Sequence, residues 1–300
     1  MATPAQVTAH YESWPFPGLD HGSRESLILL RSLTEWLGKR ETEAREARVI
    51  DVGCGTGHTV VALAKHFPEV EFVGVDAAEG VLDTARSHAE SMGIENVKFA
   101  LADIAHELAD CDPFDIVLSL GVLHHVPQLA EAFGRVARLV KRGGHLVVWL
   151  YGRFGRARHL LNQQFVAMLA SDDPDERLDV ARAFLKELGP RFAVDSGFYT
   201  PRGSGEEGIE WLLEQPQWLA DQMVPALEYS LSLPDILDLF SHHSLEFVKW
   251  LGVPTELAHY TTSSVLIDRF RGLSARDRLR AIDCLIKPSY YFVAGKKVPS

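Results

Sequence analysis

The stretch Val49-Ile50-Asp51-Val52-Gly53-Cys54-Gly55-Thr56-Gly57 leaves this chain few ways to fold. A β-branched run ends in an acid, and three glycines follow at every second position. Helix-compatible sequence then runs from His58 to His66. That is the order of a strand, a tight turn and a helix N-terminus. Glycines tolerate positive φ and carry no Cβ to hold a ligand away from the backbone. The helix adds unpaired N–H groups and the positive end of its dipole. Such a turn is built to hold a small ligand with polar or anionic groups.

Details narrow the ligand. The dinucleotide pattern G-x-G-x-x-G puts its last glycine where this chain has His58. Asp51, two residues before Gly53, suits a ligand carrying an ammonium group better than one carrying a pyrophosphate. The run D-V-G-C-G-T-G resembles motif I of the class I S-adenosylmethionine-dependent methyltransferases. The resemblance implies an α/β fold with a doubly wound, mostly parallel, Rossmann-like sheet of seven strands. It also implies S-adenosyl-L-methionine as cofactor and S-adenosyl-L-homocysteine as product.

The alternation of elements points to the same fold class. Strands are predicted over 48–52, 71–75, 97–101, 114–120 and 145–150. Helices are predicted over 59–66, 80–92 and 129–141, the last closed by Gly143 and Gly144. Strands and helices at this spacing imply right-handed βαβ units and a parallel sheet covered on both faces. Continuously apolar runs such as Leu146-Val147-Val148-Trp149 are what doubly buried strands require. After Leu150 the rhythm stops. Residues 151–243 read as helices over 162–170, 175–188, 206–214 and 232–240, with a mobile Gly/Ser/Pro-rich loop over 195–206. Strands return over 245–251 and 289–295 with a helix over 274–286 between them; the resemblance makes these strands the sixth and seventh of the sheet.

Upstream, 23–40 reads as an amphipathic helix with Ser23 or Ser26 as N-cap and apolar Leu27, Leu30, Leu33, Trp36 and Leu37. A charged connector, 41–48, joins it to the first strand. The chain thus divides into an arm and helix (1–47), a cofactor-binding core (48–150), a helical insert or substrate cap (151–243) and the end of the core sheet (244–300).

Open parallel sheets bind ligands beyond the carboxyl ends of their strands. Asp76, followed by Ala77, ends the second strand and is placed to accept two ribose hydroxyls, a position dinucleotide folds share. Asp103-Ile104 follows the third strand. In the resemblance Asp103 accepts from the adenine amino group and Ile104 packs on the ring; the residues alone equally allow a helix N-cap. With Asp51, Gly53, Cys54, Gly55 and Gly57 of the turn, and Leu120 and Gly121 after the fourth strand, these form the expected cofactor site.

Leu120 to Pro127, with His124-His125 at its centre, resembles the post-strand motif of small-molecule methyltransferases, where the methionine portion and the acceptor meet. His124 or His125 is a candidate general base; the other reading is a structural histidine hydrogen-bonded at the strand end. No carboxylate or cysteine stands at ligand spacing, so no metal site is expected. Tyr151 and Arg153 follow the fifth strand and should face the cleft, with Tyr151 a third catalytic candidate. The insert offers Tyr199, Trp211, Trp218, Asp221, Glu228 and Tyr229 on the acceptor side.

Residues 8–18 interleave Pro15 and Pro17 with Trp14 and Phe16 and cannot continue a helix. The tract resembles the Tyr-Glu…Pro-Tyr-Pro arms of some bacterial methyltransferases. It reads either as an arm packed on the domain or as a lid whose Tyr11 and Trp14 close over the cofactor.

A formal net charge of −11 argues against a nucleic-acid partner. Three cysteines, none in C-x-x-C spacing, argue against a disulfide framework. The N-terminus lacks a basic region followed by an apolar run, and no apolar run approaches a membrane span, so a cytoplasmic enzyme is expected. The resemblance implies in-line methyl transfer, and a helical cap over the cleft suggests a small, enclosed acceptor with an oxygen, nitrogen or carbon nucleophile. The alternatives are a protein side-chain methyltransferase and a regulatory or assembly protein that binds the cofactor without turnover.

Overall fold

The computed structural model describes residues 2–16, 24–38, 47–106 and 112–298. The Ser23 cap, Pro17, residues 41–46 of the connector and Cys111 lie outside them.

Seven strands form one sheet: β1 (Arg48–Val52), β2 (Glu71–Asp76), β3 (Val97–Leu101), β4 (Phe114–Leu120), β5 (Val140–Tyr151), β6 (Leu245–Trp250) and β7 (Tyr290–Lys297). Their order is β3-β2-β1-β4-β5-β7-β6. All pairings are parallel except those of β7, which runs antiparallel to both neighbours. The expected fold class is therefore the observed one. The order reverses between β1 and β4, and that is where a crevice opens beyond the strand ends.

Thirteen helices are described: α1 (Pro4–Ser13), α2 (Arg24–Gly38), α3 (His58–His66), α4 (Glu79–Ser91), α5 (Leu129–Arg138), α6 (Arg153–Leu169), α7 (Pro174–Glu187), α8 (Gly189–Phe192), α9 (Glu206–Leu213), α10 (Pro216–Met223), α11 (Leu233–His242), α12 (Ser264–Arg271) and α13 (Ala275–Ile286). The central strands of the sheet are buried on both faces, while the edge strands β3 and β6 are partly exposed. Along β5, Leu146, Val148 and Leu150 pack to one side with Phe133 of α5 and Phe240 of α11. Val147, Trp149 and Tyr151 pack to the other with Leu29 and Leu33 of α2 and Val60 and Val61 of α3. Alternation on a two-sided core is why these strands read as unbroken apolar runs. Of the expected apolar face of α2, Leu27 points outward. The insert has a core of its own, built around Phe184, Leu212, Trp218 and Leu219, and Trp14 and Phe16 of the arm pack on it.

The structure corrects the sequence reading in four places. The helix expected over 129–141 stops at Arg138, and Gly143 and Gly144 belong to β5. Val140 already pairs with Phe114, and the register then jumps to Ile116 opposite His145, so the glycines fill a bulge rather than a helix cap. The insert's first helix starts at Arg153, not at 162. Helices α1, α8, α10 and α12 were not expected at all, and α1 runs through residues 8–13 of the segment read as non-helical, ending just before Pro15. Finally, the loop read as mobile is folded in: Ser196, Phe198 and Thr200 are buried, Asp195 N–H donates to Ser204 C=O at 2.8 Å, and Gly197 lies flat on Gly155 of α6, where a Cβ would collide with backbone.

Candidate active site

The glycine turn is held by its neighbours. Gly53 and Cys54 N–H both donate to Val75 C=O, at 2.7 and 3.0 Å. Gly53, Gly55 and Gly57 all have positive φ, at 78, 53 and 76°. They serve different ends. A Cβ on Gly53 would strike Val122 at 2.4 Å, and one on Gly57 would strike Ala85 at 2.8 Å. A Cβ on Gly55 would meet only Phe16 C=O at 3.5 Å, so this glycine keeps the cavity side of the turn clear.

Asp76 braces the turn from β2, accepting from Gly55 N–H at 2.9 Å and Ala78 N–H at 3.1 Å. Asp51 is buried at the end of β1, and its Oδ1 has no hydrogen-bond partner. Burial, and then the charge of Asp76, push its carboxyl up from 3.8 to about 7. An orphaned, costly carboxylate of this kind asks for a cationic donor. Asp103 accepts from Ala105 N–H at 2.8 Å and contacts His106 Nδ1 at 2.8 Å, so it closes a turn while lining the cavity.

The cavity is lined by Asp51, Gly53, Cys54, Gly55, Asp76, Ala77, Asp103, Ile104, Leu120, Gly121, Tyr11, His125 and Tyr151 of the expected set. Pro4, Val7 and Thr8 of α1 line it too, with Tyr199 and Asp221 from the insert. Of the acceptor-side set, Arg153, Trp211, Trp218, Glu228 and Tyr229 do not line the cavity. Three of the expected cofactor and catalytic residues stand elsewhere. Gly57 packs α3 against α4 and β3. Trp14 packs on the insert core and the His10 ring, because α1 ends before it and turns it away from the strand ends. His124 is fully buried behind the wall, 4.0 Å from the Tyr151 ring, and burial drives it well below the usual histidine range, with His125 and Arg156 adding to the effect. It is a neutral core histidine.

The far end of the cavity is a polar cluster from three parts of the chain. Tyr11 of α1 donates to Asp221 Oδ1 at 3.0 Å, and Tyr151 at the end of β5 donates to Asp221 Oδ2 at 2.9 Å. Burial, and then the Asp221 charge, push both phenols well up, so both keep their protons. Gln222 Nε2 donates to Asp221 Oδ2 at 2.7 Å. His125 Nδ1 lies 2.6 Å from Leu227 C=O, which only accepts; Nδ1 therefore carries the proton and Nε2 faces Asp221 Oδ1 at 3.5 Å.

Behind this cluster Arg156 stacks on the Tyr151 ring at 3.6 Å and forms a two-pronged pair with Glu228, at 2.9 and 2.8 Å. Burial alone would raise the Glu228 carboxyl, but the Arg156 charge and hydrogen bond hold it low. Arg156 also donates to Gln222 Oε1 at 3.0 Å, fixing the amide that supports Asp221.

The sequence from 43 to 187 matches a family described as a methyltransferase domain. That match covers just under half of the chain and is consistent with the class I S-adenosylmethionine-dependent methyltransferases. A ubiquinone biosynthesis O-methyltransferase of Coxiella burnetii is 40% identical over 42% of this chain and 52% of its own length. An uncharacterized protein of Synechococcus sp. is 26% identical over 93% of this chain and 68% of its own. PKMT2 from Rickettsia typhi in complex with AdoHcy shares the fold, with a TM-score of 0.66 and 14% identity over 93% of this chain and 54% of that one. The chain thus spans about half the length of the Coxiella and Rickettsia proteins it matches.

The cofactor of the class is S-adenosylmethionine, and the residues present fit it. The unpartnered Asp51 Oδ1 meets the need of an α-ammonium group. The open face at Gly55 admits a ligand against the backbone, and Asp76 and Asp103 supply acceptors for hydroxyl and amino donors. Among the described residues no group of three or more His, Cys, Asp or Glu gathers to hold a metal, and no helix is long and apolar enough to cross a membrane.

Proposed function

We propose that this protein transfers a methyl group from S-adenosylmethionine to a small acceptor enclosed between α1, the insert and the strand ends, with His125 as general base. The observation that carries this reading is the roof of the cavity. Tyr11 from the arm and Asp221 from the insert close on one another over the ends of the strands. A site covered from both sides suits a compact ligand rather than an open polymer.

When bound, the cofactor supplies a methyl group on a cationic sulfonium whose leaving sulfide departs neutral. The protein has three tasks. Asp51, Asp76 and Asp103 hold the donor. The aromatic walls and α1 exclude water. His125 takes the acceptor's proton at Nε2, its ring held by the Nδ1 bond to Leu227 C=O. Aligning two bound reactants supplies several orders of magnitude of rate by itself, so His125 need only be well placed.

The test is methyl transfer from labelled S-adenosylmethionine into a cell extract divided into small-molecule and macromolecular fractions. Label in the small-molecule fraction, lost with His125→Ala, is the expected result. Label confined to macromolecules would favour a protein side-chain acceptor. No transfer into either, with S-adenosylhomocysteine bound, would favour a regulatory protein without turnover.

A further inference from the structure

Resting on the methyltransferase reading, the geometry points to a protonated amine as the acceptor this site selects. Two observations carry it. The first is charge. Among the described residues lining the cavity there are four carboxylates, Asp51, Asp76, Asp103 and Asp221, and neither lysine nor arginine. The nearby buried cation, Arg156, is turned away behind the Tyr151 ring and neutralised by Glu228. An anionic acceptor would meet no lysine or arginine among the described lining residues. Three of the acids are committed to the donor in the reading above. Asp221 is left over, and it comes from the insert rather than from the cofactor-binding strand ends.

The second observation is hydrogen-bonding capacity. A carboxylate offers about four lone-pair sites. Asp221 Oδ2 accepts from Tyr151 and Gln222, whereas Oδ1, among the described residues, accepts from Tyr11 alone and stands 3.5 Å from His125 Nε2, so one lone-pair site is not filled by these three donors. When the His125 ring is neutral with its proton on Nδ1, Nε2 is an acceptor as well, and it lies 3.5 Å from Asp221 Oδ1. A hydroxyl has one proton and satisfies one of them. An ammonium group has donors for both. Tyr11, Phe16, Trp149, Tyr151 and Tyr199 wall the same cavity, and aromatic faces favour a cation over a neutral group.

The chemistry closes without another reactant. R–NH3+ binds Asp221 and gives one proton to His125 Nε2, leaving R–NH2. Its lone pair forms the new C–N bond to the methyl carbon while the C–S electron pair returns to sulfur. The products are R–NH2+–CH3, a neutral sulfide and an imidazolium beside Asp221. A positive sulfonium close by favours loss of the ammonium proton.

The experiment titrates protein saturated with S-adenosylhomocysteine with phenethylamine, phenethyl alcohol and hydrocinnamate, followed by protein-detected NMR. The amine is expected to bind at least about tenfold more tightly than the alcohol, the scale of a charge-assisted contact, and the carboxylate not at all. Asp221→Asn is expected to erase the amine preference while the variant still binds S-adenosylhomocysteine, which also shows that it folds. Alcohol or carboxylate binding as tightly as the amine, a preference that survives Asp221→Asn, or no amine binding would overturn the inference. Should Asp221→Asn fail to fold, the amine-to-alcohol ratio of the wild type decides alone. A short lysine peptide in the same titration separates a free amine from a side-chain amine. Failure of S-adenosylhomocysteine itself to bind would strike the methyltransferase reading before any probe is added.

Discussion

Tyr11 and Asp221 stand 210 residues apart in the chain and meet at 3.0 Å over the cavity. Their bond joins α1 to α10, so the arm is fastened to the insert rather than to the sheet that binds the cofactor. If the cofactor exchanges past this contact, loss of the bond speeds its release.

Tyr11→Phe removes that bond and keeps the ring. The variant is expected to release S-adenosylhomocysteine at least about fivefold faster, as expected for a charged hydrogen bond of about 1–3 kcal/mol. Stopped-flow displacement reads this directly. An unchanged release rate would mean that α1 does not gate the site.

Asp51 makes the ligand-free protein pH-sensitive. Its carboxyl is raised from 3.8 to about 7 by burial and by Asp76. A carboxyl raised in the folded state favours folding while protonated, and that contribution is lost as pH rises through about 7. Asp51→Asn is therefore expected to match the wild type in Tm near pH 4 and to exceed it near pH 8, roughly one unit above that range. Binding runs the other way. The ligand's ammonium needs the ionised carboxylate, so wild-type affinity for S-adenosylhomocysteine should fall up to about tenfold per pH unit below about pH 7. Asp51→Asn should bind weakly with a flatter profile. Equal pH slopes in the two proteins would remove Asp51 from the site.

The three glycines of the turn separate binding from folding. Gly55→Val points a side chain into the cavity and is expected to abolish binding of S-adenosylhomocysteine, with a loss of Tm from a β-branched residue at φ 53° rather than from a clash. Gly57→Ala meets Ala85 at 2.8 Å and should lower stability by about 1–3 kcal/mol through overpacking while the folded protein still binds. Calorimetry and thermal melts on both variants check the division, and loss of binding in Gly57→Ala at full stability would contradict it.

The Arg156–Glu228 pair is a support whose loss is costly. Both side chains are buried, at 0 and 3% exposure, so Glu228→Gln leaves a guanidinium without its counter-charge. A loss of about 3–5 kcal/mol is expected in urea unfolding. A loss below about 1 kcal/mol would mean that the cluster behind Tyr151 relaxes around the change.

What was legible in the sequence follows from packing. Strands β1, β2, β4 and β5 lie inside the sheet and carry buried apolar runs, whereas β3 at its edge stays partly exposed. The turn glycines and Asp51, Asp76 and Asp103 stand at strand ends, where spacing along the chain fixes spacing across the crevice. Helix α10 gave no such signal. It has eight residues, and Trp218 to Met223 are all buried, so it shows no polar face to set a period. Asp221 was therefore one polar insert residue among several, and its place opposite His125 became visible only in three dimensions. Gly143 and Gly144 misled for a related reason. A glycine pair after a helical run reads as a cap, and only the pairing of Val140 with Phe114 shows the bulge. His124 and His125 are adjacent in sequence, yet the wall of the cavity passes between their roles.

The most direct measurement is a calorimetric titration of the wild-type protein with S-adenosylhomocysteine and with NADH, side by side. Binding of S-adenosylhomocysteine at one site per chain, with no heat from NADH, is the expected result. Binding of NADH without S-adenosylhomocysteine would contradict the account at its centre, because the turn ending at His58 would then serve a dinucleotide after all.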